Sequence, residues 1–178
     1  MEYIDILDPE GNKTGEKKLK KEVHARGLWH RTAHIWLMNP KGELLIQKRS
    51  PEKESHPNLW DISAAGHVDA GEAAVTAAIR ETREELGLDL AEDDFKYLFT
   101  NVKRGEVLNG GAFLNNEFQD VYLVQTEAGL EDLTMQPEEV SELKWIPVEE
   151  LQEIVRRGDE EFVPHPEEYK KLFEYLNK

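Results

Sequence analysis

The sequence contains no cysteine among its 178 residues, which excludes disulfide bonds, thiolate metal ligands and thiol nucleophiles together. Any metal ion must therefore be held by carboxylates or histidines. Basic residues are also scarce, since 22 Lys and Arg stand against 37 Asp and Glu and give a formal net charge of −15. This charge disfavours general binding to nucleic acids or anionic membranes, because both depend mainly on basic surface.

No run of apolar residues is long enough to span a bilayer, and the first six residues lack the basic and then apolar order of a secretory signal. We therefore expect a cytoplasmic protein that binds neither membranes nor nucleic acids. Hydrophobic residues make up 39% of the chain and charged residues 33%, so we expect residues 1–178 to form a single globular domain. The sequence does not distinguish a monomer from a homodimer.

Apolar patterning predicts an α+β fold in which helices cover a mixed sheet. Strands are expected at residues 4–7, 32–38, 44–47, 60–65, 95–102, 121–124 and 143–146. Helices are expected at residues 72–86 and 147–157, followed by a last helix whose apolar face contains Tyr169, Leu172, Phe173 and Leu176. Lysines at positions 13, 17, 18, 20 and 21 favour a solvated basic loop over a surface that steers an anionic substrate.

The segment 72–86 is the most strongly periodic helix, and it carries two different faces. At about 100° per residue, a packing stripe forms from Val75, Ala78, Ile79, Thr82 and Leu86. Glu81, Glu84 and Glu85 fall on an adjacent arc, at spacings that bring side chains side by side. Like charges so placed repel, so the arrangement needs a cation, and Mg²⁺ prefers carboxylate and phosphate oxygens. An ordinary solvated helix face is the alternative.

The context of this helix resembles a known signature. Fixed spacings relate Gly66, Glu72, Arg80, Glu81, Glu84, Glu85 and Gly87. This pattern, which runs over residues 66–88, resembles the motif of the Nudix hydrolase family. Thr82 departs from the motif, because the family has an aliphatic residue at that position. Since Thr82 lies on the packing stripe, the departure concerns the packing of the core more than metal binding. The resemblance implies a Nudix fold, an α/β/α sandwich with a mixed β-sheet.

The same resemblance implies roles for the motif residues. Glu81, Glu84 and Glu85 become the ligands of Mg²⁺, with Mn²⁺ as a possible substitute, or one of them polarises the attacking water instead. Glu72 and Arg80 become structural residues that fix the preceding loop and orient the ligands. The implied reaction is hydrolysis of a phosphoanhydride bond in a small diphosphate-containing metabolite.

Other segments resemble the Nudix branch related to isopentenyl diphosphate isomerase. They are residues 28–34, 47–49, 60–67 and 115–118. In the isomerases, histidines matching His24, His30 and His67 and a glutamate matching Glu117 bind a metal ion. A lone histidine near a strand is more often packed than a ligand, so we favour packing for His24 and for His34. For His30 and His67, a ligand or phosphate-binding role and simple packing stay equally open.

This chain departs from the isomerases at two positions. The acid–base cysteine of that family corresponds to Ala65, and Asn115 stands where the isomerases have a second metal-binding glutamate. Without the thiol the proton relay of the isomerase is missing, whereas the glutamate cluster of hydrolysis is complete. We therefore favour hydrolysis over isomerisation.

Several further residues are candidates for the site. Glu117 is a candidate general base or additional metal ligand, and Glu138 and Glu139 compete for that role from a late loop. Lys48, Arg49 and Lys53 are the cations most suited to bind a diphosphate, although they also fit a soluble strand end.

The substrate stays open between an isoprenoid diphosphate and a nucleoside di- or triphosphate. No glycine-rich loop of the P-loop or Rossmann kind is present, which argues against kinase or dehydrogenase chemistry. The rival interpretation is a Nudix module that binds or senses a nucleotide without cleaving it. Because such modules typically lose motif glutamates and this chain keeps all of them, we favour the enzyme.

Overall fold

The computed structural model describes all residues from 1 to 178. Its elements, in chain order, are β1 (Tyr3–Leu7), β2 (Lys13–Leu19), α1 (Lys20–Arg26), β3 (Trp29–Met38), β4 (Glu43–Arg49), β5 (Trp60–Asp61), β6 (Ala64–His67), α2 (Ala74–Leu86), β7 (Lys96–Leu108), β8 (Phe113–Gln125), β9 (Val140–Pro147), α3 (Val148–Arg157) and α4 (Pro166–Leu176). None of the helices combines the length and the apolar character that crossing a membrane requires.

Seven strands form one mixed sheet, while β1 and β2 pair separately as an antiparallel hairpin. The central strand β3 runs parallel to β8 along its whole length and antiparallel to the short strand β6. β7 pairs antiparallel with the outer side of β8, and β4 pairs antiparallel with both β5 and β9. The strands β3 and β4 meet only where Met38 lies opposite Leu44.

Helices cover both faces of this sheet, because successive residues of a strand point to opposite sides. On β3, Ile35 and Leu37 belong to an apolar cluster that also contains Leu86 of α2. Trp36 belongs to a second cluster, which contains Leu151 of α3 and Leu172 of α4. The structure is therefore an α/β/α sandwich, and the predicted α+β class with a mixed sheet is confirmed.

The lysine-rich segment is not the loop that its composition predicts. It forms β2 and the start of α1, in a register that places Ile4 of β1 opposite Lys18. Because the side chains of β2 are mostly exposed, no apolar alternation marks the strand, and backbone pairing with β1 creates it. Val23 and His24 of α1 are buried, so this helix packs its inner side against the rest of the protein.

The strand predicted at residues 60–65 is broken into β5 and β6, and Ser63 lies at the break. Its hydroxyl donates a hydrogen bond to the Leu45 carbonyl at 2.6 Å and accepts one from the Leu37 amide at 2.8 Å. The side chain thus bridges β3 and β4 at a point where ladder hydrogen bonds are absent. From there the chain continues as β6, which pairs with β3.

The helix α2 begins at Ala74, two residues later than predicted, and leaves Glu72 in the preceding loop. Ala78, Thr82 and Leu86 are buried as the packing stripe predicts. The Thr82 hydroxyl donates to the Ala78 carbonyl at 2.7 Å, so the polar atom is satisfied inside the core. The unusual residue of the motif is thereby accommodated without a packing defect.

Replacement of Leu86 by Ala should lower the free energy of unfolding by about 2–5 kcal/mol, because the fully buried side chain leaves a cavity under α2. Denaturant unfolding followed by circular dichroism measures this loss. Val107→Ala serves as the control, since that side chain is 61% exposed on β7, and should change stability by no more than about 0.5 kcal/mol. Equal losses in both variants would contradict the assignment of this core.

Candidate active site

A polar cleft of about 470 Å³ crosses the molecule beside β3, β6 and the C-terminal half of α2. Thirty residues line it and only three of them are hydrophobic. Carboxylates far outnumber the four Lys and Arg side chains in the lining, which are Lys20, Arg49, Lys53 and Lys103. The cleft is therefore strongly anionic, and an anionic ligand can enter only if cations offset this charge.

The three motif glutamates of α2 meet at one side of this cleft. Glu81, Glu84 and Glu85 all line it, although their environments differ. The Glu84 side chain is 49% exposed, whereas Glu85 is 4% exposed and accepts a hydrogen bond of 2.7 Å from the Gln47 side-chain amide. The helix spacing predicted this convergence, but Gln47 as a partner follows only from the packing of β4 against α2.

Gly66 allows Glu81 to reach the cleft. A Cβ atom at position 66 would lie 2.0 Å from the carboxyl carbon of Glu81, so a side chain there would force the carboxyl to move. Gly66 lies on β6, next to the central strand, so the glutamate carboxyl passes directly over the sheet backbone. The absence of a side chain at the first glycine of the motif thus leaves the space that the Glu81 carboxyl occupies.

Arg80 connects the helix with the loop that precedes it. Its Nε and Nη2 atoms donate to the two carboxylate oxygens of Glu72 at 3.0 and 2.9 Å, and Nη2 also donates to the His67 carbonyl at 3.0 Å. The remaining nitrogen, Nη1, donates to Glu81 at 2.7 Å and lies 3.6 Å from Glu84. Arg80 therefore links Glu72 and the loop to two of the clustered carboxylates.

The electrostatics of the glutamate cluster fit a cation site. Burial raises the pKa of Glu85 to about 8, and the nearby charge of Glu81 adds to the effect. Burial also raises the pKa of Glu81 to about 7, although Arg80 opposes the shift. Carboxylates that are crowded and desolvated in this way favour either a proton or a bound cation. Three oxygen-donor side chains on one wall of the cleft suit Mg²⁺ or Mn²⁺.

Three histidines form a second cluster beside the glutamates. One ring nitrogen from each of His24, His30 and His67 lies within 4.8 Å of the others. His24 Nε2 is 2.9 Å from His67 Nε2, while His30 Nδ1 contacts the Leu28 carbonyl at 2.9 Å. Burial and the neighbouring His30 hold the pKa of both His24 and His67 below its usual value, so these rings are neutral, the form that binds metals. His24, for which we predict simple packing, thus belongs to this group.

Glu117 lies beside the histidine cluster on β8, opposite His30 of β3. Its Oε1 atom is 3.6 Å from His30 Nε2, and its Oε2 atom accepts a hydrogen bond of 2.8 Å from the Gln119 amide. Burial alone would raise the pKa of Glu117, but His30 and Lys103 outweigh it and keep the pKa well below its usual range. Glu117 is therefore ionised throughout the neutral range, which suits a ligand better than a proton acceptor.

Of the three cations predicted to bind a diphosphate, two line the cleft and one does not. Arg49 lines the cleft but is held by Asp61 at 3.1 Å and by Ser55, so it also anchors the loop after β4. Lys53 lines the cleft and forms an ion pair with Glu139. Lys48 is absent from the lining and lies over the Trp60 ring instead, with its ammonium 5.9 Å from the ring centroid.

A buried polar network at the inner end of the cleft has no counterpart in the sequence motifs. His34 Nδ1 lies 2.7 Å from Glu168 of α4, and His165 Nε2 lies 2.8 Å from Asp61. The two pairs join residues 134 and 104 positions apart in the chain. No local periodicity relates such residues, so sequence reasoning had no signal by which to group them.

The chain belongs to the Nudix family, since the family model described as NUDIX domain matches residues 28–166. That span contains α2 with its glutamates, the whole mixed sheet and the loop that Arg80 fixes. The resemblance inferred from the motif is confirmed, and it places the chain among Nudix-type hydrolases.

Individual relatives represent both branches that the sequence resembles. The chain is 42% identical over 182 residues to Nudix hydrolase 3 of Arabidopsis thaliana, an alignment that covers 99% of this chain but 23% of the plant protein. It is 33% identical over 145 residues to an isopentenyl-diphosphate Delta-isomerase of Jannaschia sp., covering 82% and 79% of the two chains. The crystal structure of DR0079 from Deinococcus radiodurans matches with a TM-score of 0.69 at 27% identity, covering 88% and 90%.

Replacement of Gly66 by Ala should weaken Mn²⁺ binding about ten- to hundredfold, because the added Cβ displaces the Glu81 carboxyl. Electron paramagnetic resonance of free Mn²⁺ measures this affinity. Gly71→Ala lies in the same loop, where the added atom meets nothing within 4 Å, and should retain Mn²⁺ affinity despite its positive φ. Wild-type affinity in Gly66→Ala would show that Glu81 is not a ligand.

The raised pKa of Glu85 predicts how the stability of the metal-free protein depends on pH. The fold favours the protonated carboxyl, so its contribution is complete below the ordinary pKa of 4.5 and is lost as the pH rises toward about 8. Glu85→Gln should therefore be more stable than wild type at pH 8 by about 1–4 kcal/mol, since one pKa unit corresponds to about 1.4 kcal/mol.

Thermal unfolding in the presence of a chelator at pH 5 and pH 8 tests this expectation. The two proteins should differ little at pH 5, and Mg²⁺ should stabilise wild type more than Glu85→Gln at pH 8. A variant that is equally destabilised at both pH values would contradict the raised pKa.

Proposed function

We propose that the chain is a hydrolase that depends on a divalent cation and cleaves a phosphoanhydride bond in a small diphosphate-containing metabolite. One observation carries the proposal: Glu81, Glu84 and Glu85 converge on one wall of the cleft and are oriented there by Gly66 and Arg80. A solvated helix face would not place two partly or fully desolvated carboxylates together beside a motif arginine.

Mg²⁺ is the cation that this donor set fits best, and Mn²⁺ would fit the same oxygen ligands. We assign Glu81, Glu84 and Glu85 as its ligands. When bound, such an ion lowers the pKa of coordinated water and neutralises charge on phosphate oxygens.

Proton transfer from the attacking water requires a base whose pKa lies near the working pH. Glu81, whose pKa is about 7 in the metal-free protein, is the acceptor in the alternative in which Glu84 and Glu85 alone hold the cation. Glu139 also lines the cleft, paired with Lys53, and remains the competing acceptor. Glu117 has a low pKa and suits an electrostatic or ligand role beside His30.

Substrate binding is assigned to the cations that line the cleft. Arg49 has guanidinium donors left over after its contacts with Asp61 and Ser55, and Lys53 can share its ammonium between Glu139 and a phosphate. His67, at the junction of the two clusters, can contact the same phosphates. With only three hydrophobic residues in the lining, the cleft offers little apolar surface, which favours a nucleotide or a short isoprenoid over a long prenyl chain.

Two alternatives predict different chemistry from the same fold. A binding or regulatory Nudix module would hold a nucleotide without cleaving it, but the complete glutamate cluster argues against this function. An isomerase would need an acid–base group at position 65, where Ala65 lines the cleft without any proton to transfer. The resemblance to the isomerases rests on the segments that carry the histidine cluster and Glu117.

Phosphate and pyrophosphate release should be measured from nucleoside diphosphates, nucleoside triphosphates, nucleotide sugars and prenyl diphosphates, with and without Mg²⁺. We expect hydrolysis within one class that stops when the cation is chelated. Isopentenyl diphosphate should yield no allylic isomer. If no compound of any class is hydrolysed but one of them binds tightly, the result would favour the binding module.

Glu84→Gln and Glu85→Gln should each lower kcat at least about a hundredfold, because each change removes a proposed ligand of the cation. Loss of a residue that merely orients a metal ligand already costs about 10- to 100-fold in affinity or activity. The exposed Glu174 of α4 provides the matched control, and Glu174→Gln should keep wild-type kcat. Full activity in both of the first two variants, with the fold confirmed by circular dichroism, would remove the metal assignment.

A further inference from the structure

The inner end of the cleft contains a histidine that the proposed hydrolytic chemistry does not use. His34 lies on β3, is 5% exposed and lines the cleft. Its Nδ1 atom is 2.7 Å from Glu168 Oε2, whereas its Nε2 atom makes no hydrogen bond within the protein and is not sealed from the cleft. The ring is thus fixed at one nitrogen and available at the other.

Glu168 favours the positively charged form of this histidine. The glutamate is fully buried, and its second oxygen accepts only a hydrogen bond of 3.0 Å from the Trp36 indole. It forms no ion pair with Lys or Arg, and a buried carboxylate is stable only if a cation or several donors compensate it. Its position in the first turn of α4 further favours the ionised form.

The groups that face His34 agree with this assignment. Burial opposes protonation of the ring, but Glu168, Glu117 and Asp61 outweigh it, and the pKa of His34 is raised above its usual value. The pKa of Glu168 is lowered by the same pairing despite its burial. His165 is the other titratable group nearby, with its ring centroid 5.6 Å from that of His34, and it is turned toward Asp61.

The position of the counter-charge distinguishes His34 from every Lys and Arg of the cleft. Those four cations are paired with carboxylates that line the same cleft, in the pairs Lys20–Glu2, Arg49–Asp61, Lys53–Glu139 and Lys103–Glu106. Glu168 does not line the cleft and lies behind the imidazole. A ligand in the cleft therefore meets the positive side of the His34–Glu168 pair. Two carboxylates of the lining also face His34, namely Glu117 and Asp61, and Asp61 is already paired with Arg49 and His165.

Thr32 supplies a second donor next to this ring. It lies two residues from His34, on the same face of β3, and also lines the cleft. Its hydroxyl is buried and has no hydrogen-bond partner within the protein. A buried hydroxyl without a partner is costly, so a ligand oxygen at this place would satisfy it as well as His34.

We propose that His34 is an anion-binding residue that donates its Nε2–H to a phosphoryl oxygen of the substrate, and that Glu168 is the positioning residue that keeps the imidazole charged and oriented. The proposal deepens the proposed function, on which it rests for a diphosphate as the ligand. It adds a second anion-recognition point, away from the glutamate helix, with Thr32 as a further donor.

Steady-state kinetics over a range of pH test the proposal. His34→Gln should raise KM about ten- to hundredfold with a smaller effect on kcat, because it removes a charge-assisted hydrogen bond to the bound phosphate. Glu168→Gln keeps the size of the side chain but lowers the pKa of His34, so the rise of KM with pH should begin at lower pH than in wild type. Glu167→Gln changes the exposed neighbour of Glu168 in the same first turn of α4 and should change KM less than about twofold.

Nitrogen-15 spectra of the imidazoles give a measurement that does not require turnover. Imidodiphosphate with Mg²⁺ should shift the His34 Nε2 resonance of wild type in a saturable manner, relative to Mg²⁺ alone. If imidodiphosphate shifts the His34 resonance but no compound of the substrate panel is hydrolysed, the anion site is supported and the proposed hydrolase is wrong.

Hydrolysis with an unmoved His34 resonance would overturn the anion site alone. The same conclusion would follow from unchanged KM in folded His34→Gln. If His34→Gln does not fold, the proposal is tested by Glu168→Gln alone. A KM that depends on pH in this variant as it does in wild type would then overturn the proposal.

Discussion

The hydrogen bonds of Arg80 are the constraint on which the rest of the site depends. One guanidinium joins Glu72 and the His67 carbonyl in the loop to Glu81 on the helix. Because the guanidinium is planar and always charged, it sets both the position of the loop and the direction of the carboxylate. Gly66 completes the arrangement by leaving the space that Glu81 occupies. Loop, helix and sheet are thereby held in one geometry before any ligand arrives.

This geometry is unfavourable for the protein alone, since it desolvates carboxylates that repel one another. The raised pKa values of Glu81 and Glu85 express that cost, and a bound cation offsets it. Stability and function are therefore opposed at this helix, as is common where a site is organised in advance. The hydrophobic clusters on the two faces of the sheet stabilise the fold and so compensate for the crowded carboxylates of the glutamate helix.

The sheet distributes different chemistry along one cleft. On the central strand, His30, Thr32 and His34 share a face by the alternation of β residues, and the neighbouring strands add His67 and Glu117. Neutral imidazoles lie near Glu117, and a charged imidazole lies near α4. One row of side chains thus presents neutral imidazole nitrogens at one end and, in our proposal, an anion-binding donor at the other.

Regular periodicity and short fixed spacings were enough to predict the α+β class and the helix that brings its three glutamates together, and the family resemblance added the sandwich architecture. The exposed strand β2 escaped prediction because its partner creates it, and the break at Ser63 depends on contacts with two other strands. The isomerase resemblance groups His24 with His30 and His67, and the structure shows that their ring nitrogens meet. The separation of Lys48 from the cleft and the pairing of His34 with Glu168 were decided only by tertiary structure. Those residues come together through the packing of distant elements, for which a linear pattern carries no signal.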